Sequence, residues 1–245
     1  MKNTIQNNLN MWNERHTWTR DGDEWDGQAS FHKQSYDDWK RSVIDVFLLP
    51  HLSDQATAVE IAPGHGRWAE TLAERCEKLY LVDLSPSCID YCRNRFAGHQ
   101  QITYVVNDGT SLPGVPDACV DFVWSFDSFV HMDPTVIDAY LAEIYRVLRP
   151  GGRVILHHAG RSHATLGLGF LRGWGKIGRK LYKMISLRIW NDDDGWRSEV
   201  SKEVVQDLAD KNQLAVESQV QSWGANGEFG VLRYGDYITT LRKRD

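Results

Sequence analysis

The sequence predicts an α/β domain: a mainly parallel sheet with helices on both faces, carrying a helical cap. Three observations predict it. Short apolar runs alternate with amphipathic stretches from residue 57 to residue 158. A glycine turn, Pro63-Gly64-His65-Gly66, joins the first apolar run to the first helical one. Near the C-terminus, two runs separated by a glycine-containing loop read as an antiparallel hairpin.

The elements follow in order. Trp12, Trp18, Trp25 and Trp39 stand among charged residues, and no period is clear before Tyr36. From there Trp39, Val43, Val46 and Phe47 recur at helical spacing, which predicts a helix over 36–49 stopped by Pro50. Residues 58–62 read as the first strand, 67–76 as a helix, 78–82 as the second strand and 87–96 as a second helix. Residues 102–106 and 120–125 are the third and fourth strands. Apolar positions Val136, Ile137, Tyr140, Leu141, Ile144 and Leu148 predict a helix over 134–148, ended by Pro150-Gly151-Gly152 before a fifth strand at 153–157. Residues 160–196 read as helical pieces broken by glycines, 204–211 as a helix, and 214–223 and 237–242 as two late strands. The chain thus divides into a tryptophan-bearing arm and helix (1–50) and a main domain (51–245) with a helical insertion at about 161–200.

Composition narrows the function classes. The 245 residues are 42% hydrophobic and 25% charged, ordinary for a globular chain able to bury a core without metal or disulfide staples. Four cysteines form no disulfide framework, and Cys88 and Cys92 have helix spacing. A net charge of −5 argues against general nucleic-acid binding. The first ten residues carry no apolar leader, and no apolar run reaches the roughly 18 residues of a spanning helix. A reduced, soluble, cytoplasmic protein is the expectation.

The glycine turn carries the chemistry. Gly64-His65-Gly66-Arg67-Trp68-Ala69 fits G-x-G-x-x-G/A between a strand and a helix, a geometry that lets a ligand approach the backbone. Asp83 ends the second strand, where a carboxylate accepts hydrogen bonds from ribose hydroxyls. These features serve NAD as well as S-adenosylmethionine. Glu60, just before the turn, is awkward for a pyrophosphate and suits a cofactor with an ammonium group. Asn107-Asp108-Gly109 closes the third strand, where an acid accepts from an adenine amino group.

In combination, residues 59–68, Asp83, Asp108-Gly109, residues 121–125 and residues 148–152 resemble the successive motifs of class I S-adenosylmethionine-dependent methyltransferases, over roughly 57–158. One departure is Ala62, where many members carry the first glycine of E/D-x-G-x-G-x-G; altered loop geometry, not lost binding, is expected. The resemblance implies a Rossmann-like sheet of seven strands, the last antiparallel. It implies that Gly64 and Gly66 lie under the methionine part of the cofactor, with Ala62 in the same cofactor-binding loop, Asp83 at the ribose, Leu84 at the adenine or ribose face, Asp108 and Gly109 at the adenine, and Ser125 and Phe126 at the methionine or sulfonium end. Within the family the chain is similar to bacterial small-molecule or sugar-type O-methyltransferases with an arm like Gly22-Asp23-Glu24-Trp25.

Methyl transfer to a hydroxyl or ammonium needs a base near the carboxyl ends of strands four and five. His131, His157 and His158 are the candidates; of the adjacent pair only one can face the cleft. Asp127, Trp25 and Arg161 are candidate acceptor contacts. Asp127, His131, Asp133 and His157 offer metal-ligand types in no diagnostic spacing, and no metal is expected. Seven basic residues and no acidic one between Arg161 and Arg188 fit an amphipathic lid, attraction of an anionic small-molecule acceptor, or a membrane-surface role reaching a lipid-linked acceptor. The expected activity is O-methylation of a small molecule with a histidine base. N-methylation of an amine or heterocycle, an NAD(P)-dependent oxidoreductase and a non-catalytic cofactor-binding module stand as alternatives.

Overall fold

The computed structural model describes residues 3–19, 21–23, 26–160, 177, 178, 181 and 196–244. Seven strands form the main sheet: β1 (Thr57–Ile61), β2 (Lys78–Asp83), β3 (Ile102–Val106), β4 (Val120–Phe129), β5 (Leu148–His158), β6 (Leu214–Val220) and β9 (Tyr237–Lys243). Their spatial order is β3-β2-β1-β4-β5-β9-β6. The first five pair in parallel, and β9 inserts antiparallel between β5 and β6. The order reverses direction beside β1 and β4, so the crevice at their carboxyl ends is where an open α/β sheet binds ligand.

Residue alternation along the strands sorts the core into two layers. Ala58, Leu79, Leu81, Phe122, Trp124 and Ile155 face one side. There they meet α3 (Tyr36–Val43), α4 (Ala69–Arg75) and α5 (Pro86–Arg95) through Trp39, Leu72 and Ile89. Val59, Ile61, Val123, Val154 and Leu156 face the other side and meet α6 (Pro134–Val147) and α7 (Lys202–Lys211) through Ile137, Ile144 and Val205. Two short helices, α1 (Ile5–Asn10) and α2 (Gly27–Phe31), belong to the arm.

Several boundaries differ from expectation, among them that of the fifth strand, which begins at Leu148 and takes in Pro150-Gly151-Gly152. The helix over 36–49 is α-helical only to Val43, then widens into a π-turn at Ile44–Leu48 and tightens into a 3₁₀ turn at Leu49–His51, with Pro50 inside that last turn. The late strand over 214–223 is interrupted: β7 (Ser222–Trp223) leaves the main sheet to pair with β8 (Phe229–Gly230). The fourth strand runs to Phe129, past its expected end at Ser125, through a register shift between Ser125 and Phe129 that contains Asp127 at φ 63°. A bulge of this kind re-aims side chains at a strand end. Most of the insertion at 161–200 lies outside the described residues.

Candidate functional site

A cleft of about 100 Å³ opens over the carboxyl ends of β1, β2 and β4. Its floor begins at the glycine turn. Ala62 leaves β1 at φ 59°, a left-handed conformation that an L side chain resists, followed by Gly64 at φ 57° and Gly66 at φ 85°. A Cβ on Gly64 would sit 2.6 Å from the Trp18 ring, so only glycine fits beneath it. Gly66 faces away from the cleft: a Cβ there would strike the Phe96 ring at 2.6 Å, which gives this glycine a packing role.

Beside the turn, the Asp83 carboxylate accepts hydrogen bonds from Gly64 N (3.2 Å) and Ser85 N (2.8 Å) and lines the cleft. Burial pushes its pKa up to about 6 against those bonds. Glu60 lies below the turn on the α4 side of the sheet, 1% exposed, and its Oε2 has no hydrogen-bond partner. Burial lifts its pKa to about 8, although the positive charge of Arg67 opposes the rise. An orphaned buried carboxylate oxygen next to a turn that admits close backbone approach fits a cofactor with a cationic end.

The arm roofs the cleft. Ile5 packs on Gly109 and Leu84, Asn8 donates to the His131 carbonyl (3.0 Å), and Asn13 accepts from the Ser85 hydroxyl (2.9 Å). Trp18 Nε1 donates to the Trp12 carbonyl (3.0 Å), and the Trp18 ring stacks on His65, whose own ring stacks on Tyr91. Ile5, Asn8, Trp12 and Trp18 all line the cleft. The polar first ten residues had offered no signal for this role; the tryptophans had.

On the far side, buried charges alternate in a chain. Arg67 Nη2 donates to Asp127 Oδ2 (2.6 Å); Asp127 Oδ1 lies 3.1 Å from His157 Nδ1; His157 Nε2 lies 3.3 Å from Asp236 Oδ2; Arg197 holds the same Asp236 oxygen at 2.9 Å. Burial opposes charge at every member, yet the neighbours win. Arg67 and His157 hold the Asp127 carboxyl well below the usual carboxylate range, and the two aspartates raise the His157 pKa.

This arrangement corrects several expectations. His157 is fully buried against Phe126, its Nδ1 accepts from the Asp127 backbone N–H (3.2 Å), and its ring lies between two carboxylates, so it does not reach into the cleft as a base. His158, one residue on, faces the α6 side, where its nitrogens lie 2.7 Å from the Ala159 carbonyl and 2.6 Å from the Thr239 hydroxyl; the strand's pleat turns it away from the cleft. His131 packs between Trp12 and Trp196 with Nδ1 on the Trp196 carbonyl (3.0 Å), and burial, helped by Arg197, lowers its pKa to about 4. Asp127 does line the cleft, but both its oxygens are engaged. Trp25 and Arg161 lie outside the described residues.

Among the expected cofactor residues, Ala62, Gly64, Asp83, Leu84, Gly109 and Phe126 line the cleft. Ser125 is buried and donates to the Ile61 carbonyl (2.7 Å), tying β4 to β1. Asp108 is exposed, and its Oδ1 accepts from the backbone and hydroxyl groups of Thr110 and Ser111, shaping its own turn. Asp236 and Arg197 escaped sequence reasoning because nothing local marks them. Arg67 had a signal, since it directly follows Gly64-His65-Gly66.

Comparison with known proteins agrees with this geometry. Residues 58–152 match the methyltransferase domain family. The malonyl-[acyl-carrier protein] O-methyltransferase of Serratia marcescens is 34% identical over 112 residues, 46% of this chain and 39% of that protein. The fatty-acid O-methyltransferase of Mycolicibacterium smegmatis is 38% identical over 98 residues, 38% of this chain and 34% of that protein. The chain therefore spans little more than a third of the length of these relatives. The crystal structure of geranyl diphosphate C-methyltransferase from Streptomyces coelicolor A3(2), in complex with Mg²⁺, geranyl diphosphate and S-adenosyl-L-homocysteine, superposes with a TM-score of 0.65 at 15% identity, covering 98% of each chain. That likeness concerns the fold, including the arm.

Proposed function

We propose, from the premise that residues 58–152 form a methyltransferase domain of the class I, S-adenosylmethionine-dependent kind, that this chain transfers a methyl group to oxygen of a small-molecule acceptor. Bound S-adenosylmethionine supplies an electrophilic methyl on a sulfonium. The chain's own residues do the rest. Asp83 would accept from the ribose hydroxyls, Gly64 and Ala62 would lie under the methionine portion, and Leu84 and Gly109 would flank the nucleoside. Glu60, protonated in the ligand-free chain below about pH 8, would give up its proton as the ammonium end supplies the missing counter-charge. Ile5, Asn8, Trp12 and Trp18 would exclude water from the sulfonium, which favours in-line displacement.

The observation that carries this reading is the cofactor half of the cleft, where Asp83 lines the wall beside the glycine turn and Glu60 lies buried beneath that turn, neither in an ion pair among the described residues. Oxygen as the accepting atom draws on the named activities of the two curated relatives, both O-methyltransferases, of which this chain covers a part. The methyltransferase match sets aside the nicotinamide alternative. In this reading residues 1–50 act as a lid on the body formed by 51–245, and an anionic acceptor enters beside Phe126, Asp127 and Met132.

Calorimetric titration with S-adenosylhomocysteine tests it. The full chain binds, and Asp83→Ala weakens binding about 100-fold, the worth of two charge-assisted hydrogen bonds, while melting near the wild-type temperature. Unchanged affinity in Asp83→Ala would remove the ribose from this site.

A further inference from the structure

We infer that Arg67 receives a carboxylate of the acceptor, so that the reaction is methyl esterification of an apolar carboxylic acid. This deepens the methyl-transfer reading above and rests on it.

Arg67 lines the cleft yet is only 6% exposed. Its Nη2 is spent on Asp127, while its Nη1 is buried and makes no hydrogen bond. A guanidinium nitrogen out of water without an acceptor is costly, and its natural complement is a planar oxyanion. The neighbours leave it short of a second anion: the Tyr36 hydroxyl, which donates to Asp23 at 2.7 Å, offers Arg67 only a neutral lone pair, and Asp127 divides its charge between Arg67 and His157. The guanidinium lies over the Trp68 ring, 4.8 Å from its centroid, with Nη2 on Asp127, which orients it at the cleft wall. Apolar side chains make up much of the wall, among them Ile5, Trp12, Phe126, Met132 and Val136.

The chemistry of a carboxylate fits the groups around it. A lone pair of the acceptor carboxylate forms the new O–CH₃ bond, the S–CH₃ bond breaks, and its electron pair stays on sulfur. A carboxylate anion and a sulfonium cation become a neutral ester and a neutral thioether, and no proton has to leave. The histidines at the cleft are then in keeping with their state: His157 is locked between carboxylates and His131 is held against a carbonyl and two indoles. Opposite charges that cancel on the way to the transition state react faster in an apolar, water-excluding chamber.

The same Nη1 could instead meet the carboxylate of the cofactor's own methionine end, and the experiment separates the two. The full chain, saturated with S-adenosylhomocysteine, is titrated with decanoate and with decanamide. Expected is binding of decanoate about 10-fold tighter than the amide, the scale of one charge-assisted pair. Arg67→Lys keeps one nitrogen for Asp127 and has none to spare; it should lose that preference yet bind S-adenosylhomocysteine within about threefold of wild type. Arg67→Met is the second variant, and both are checked by thermal melting. Methyl-labelled S-adenosylmethionine with decanoate should yield a product that releases labelled methanol in base.

Three results overturn the inference: no binding of decanoate or no preference for it in the wild type, a base-stable product, or an Arg67→Lys variant that loses S-adenosylhomocysteine while still binding methylthioadenosine. The last assigns Nη1 to the cofactor. A wild-type chain that binds no S-adenosylhomocysteine breaks the underlying methyl-transfer reading and not this step alone.

Discussion

The two halves of the cleft treat buried carboxylates in opposite ways. Under the glycine turn, Glu60 and Asp83 make no ion pair among the described residues, and burial lifts them to about 8 and about 6. Across the β4 bulge, Asp127 and Asp236 sit beside the Arg67 and Arg197 guanidinium groups and the His157 ring and are held low. Desolvation acts on all four; what differs is whether the protein supplies the counter-charge. The half it leaves open is built to be completed by a cationic ligand. The half it closes is a rigid scaffold that fixes Asp127 in its left-handed turn and presents Arg67 to the cleft.

The sharpest way to break this contrast is Asp236→Asn. It leaves His157 and Arg197 sharing a single neutral partner, and loss of one partner of a buried pair costs about 3–5 kcal/mol. Urea unfolding should show that drop; a loss below about 1 kcal/mol would mean the chain of charges is not a scaffold.

Glu60→Gln should move stability the other way. The native state keeps the Glu60 proton up to about pH 8, whereas the unfolded chain releases it near 4.5. The native state therefore binds more protons across that window, and stability falls as pH rises through it. The variant removes the decline, so at pH 8 the ligand-free protein gains about 4 kcal/mol, shrinking toward zero near pH 4.5. Denaturation midpoints at both pH values read the effect. S-adenosylmethionine affinity should fall about tenfold in the same variant, a charge lost opposite an ammonium.

Ala62→Gly gives the smallest change. Relief of the left-handed strain is offset in part by unfolded-chain entropy, leaving a gain of about 0.5–1 kcal/mol in thermal unfolding. A loss would mean that the Ala62 methyl packs usefully enough to outweigh its backbone strain.

Legibility from sequence followed the range of the interactions. The strands at 102–106 and the helix from Pro134 were readable because alternation, helical periodicity and a proline at the first turn are local. Gly64 and Asp83 were readable because a turn and a strand end lie within one βαβ unit. The histidines were misjudged for a physical reason. Their position at the end of β5 is local information, but which side of the sheet each faces, and what waits there, depends on pairing with β9, some 80 residues on, where Thr239 meets His158 and Asp236 precedes the strand.

By itself, the sequence determined the alternating sheet and helices, the glycine turn and the acid at the end of β2, since each is set by neighbours a few residues apart. Only the tertiary structure decided that Arg67, Asp127, His157, Arg197 and Asp236 form one charged chain, and that Ile5 and Trp18 close over Gly109 and Gly64. Those contacts join segments from distant parts of the chain. A Coulombic pair or a packed indole is stabilised by proximity in space, which strand register and crossover create and which no local pattern of residues carries.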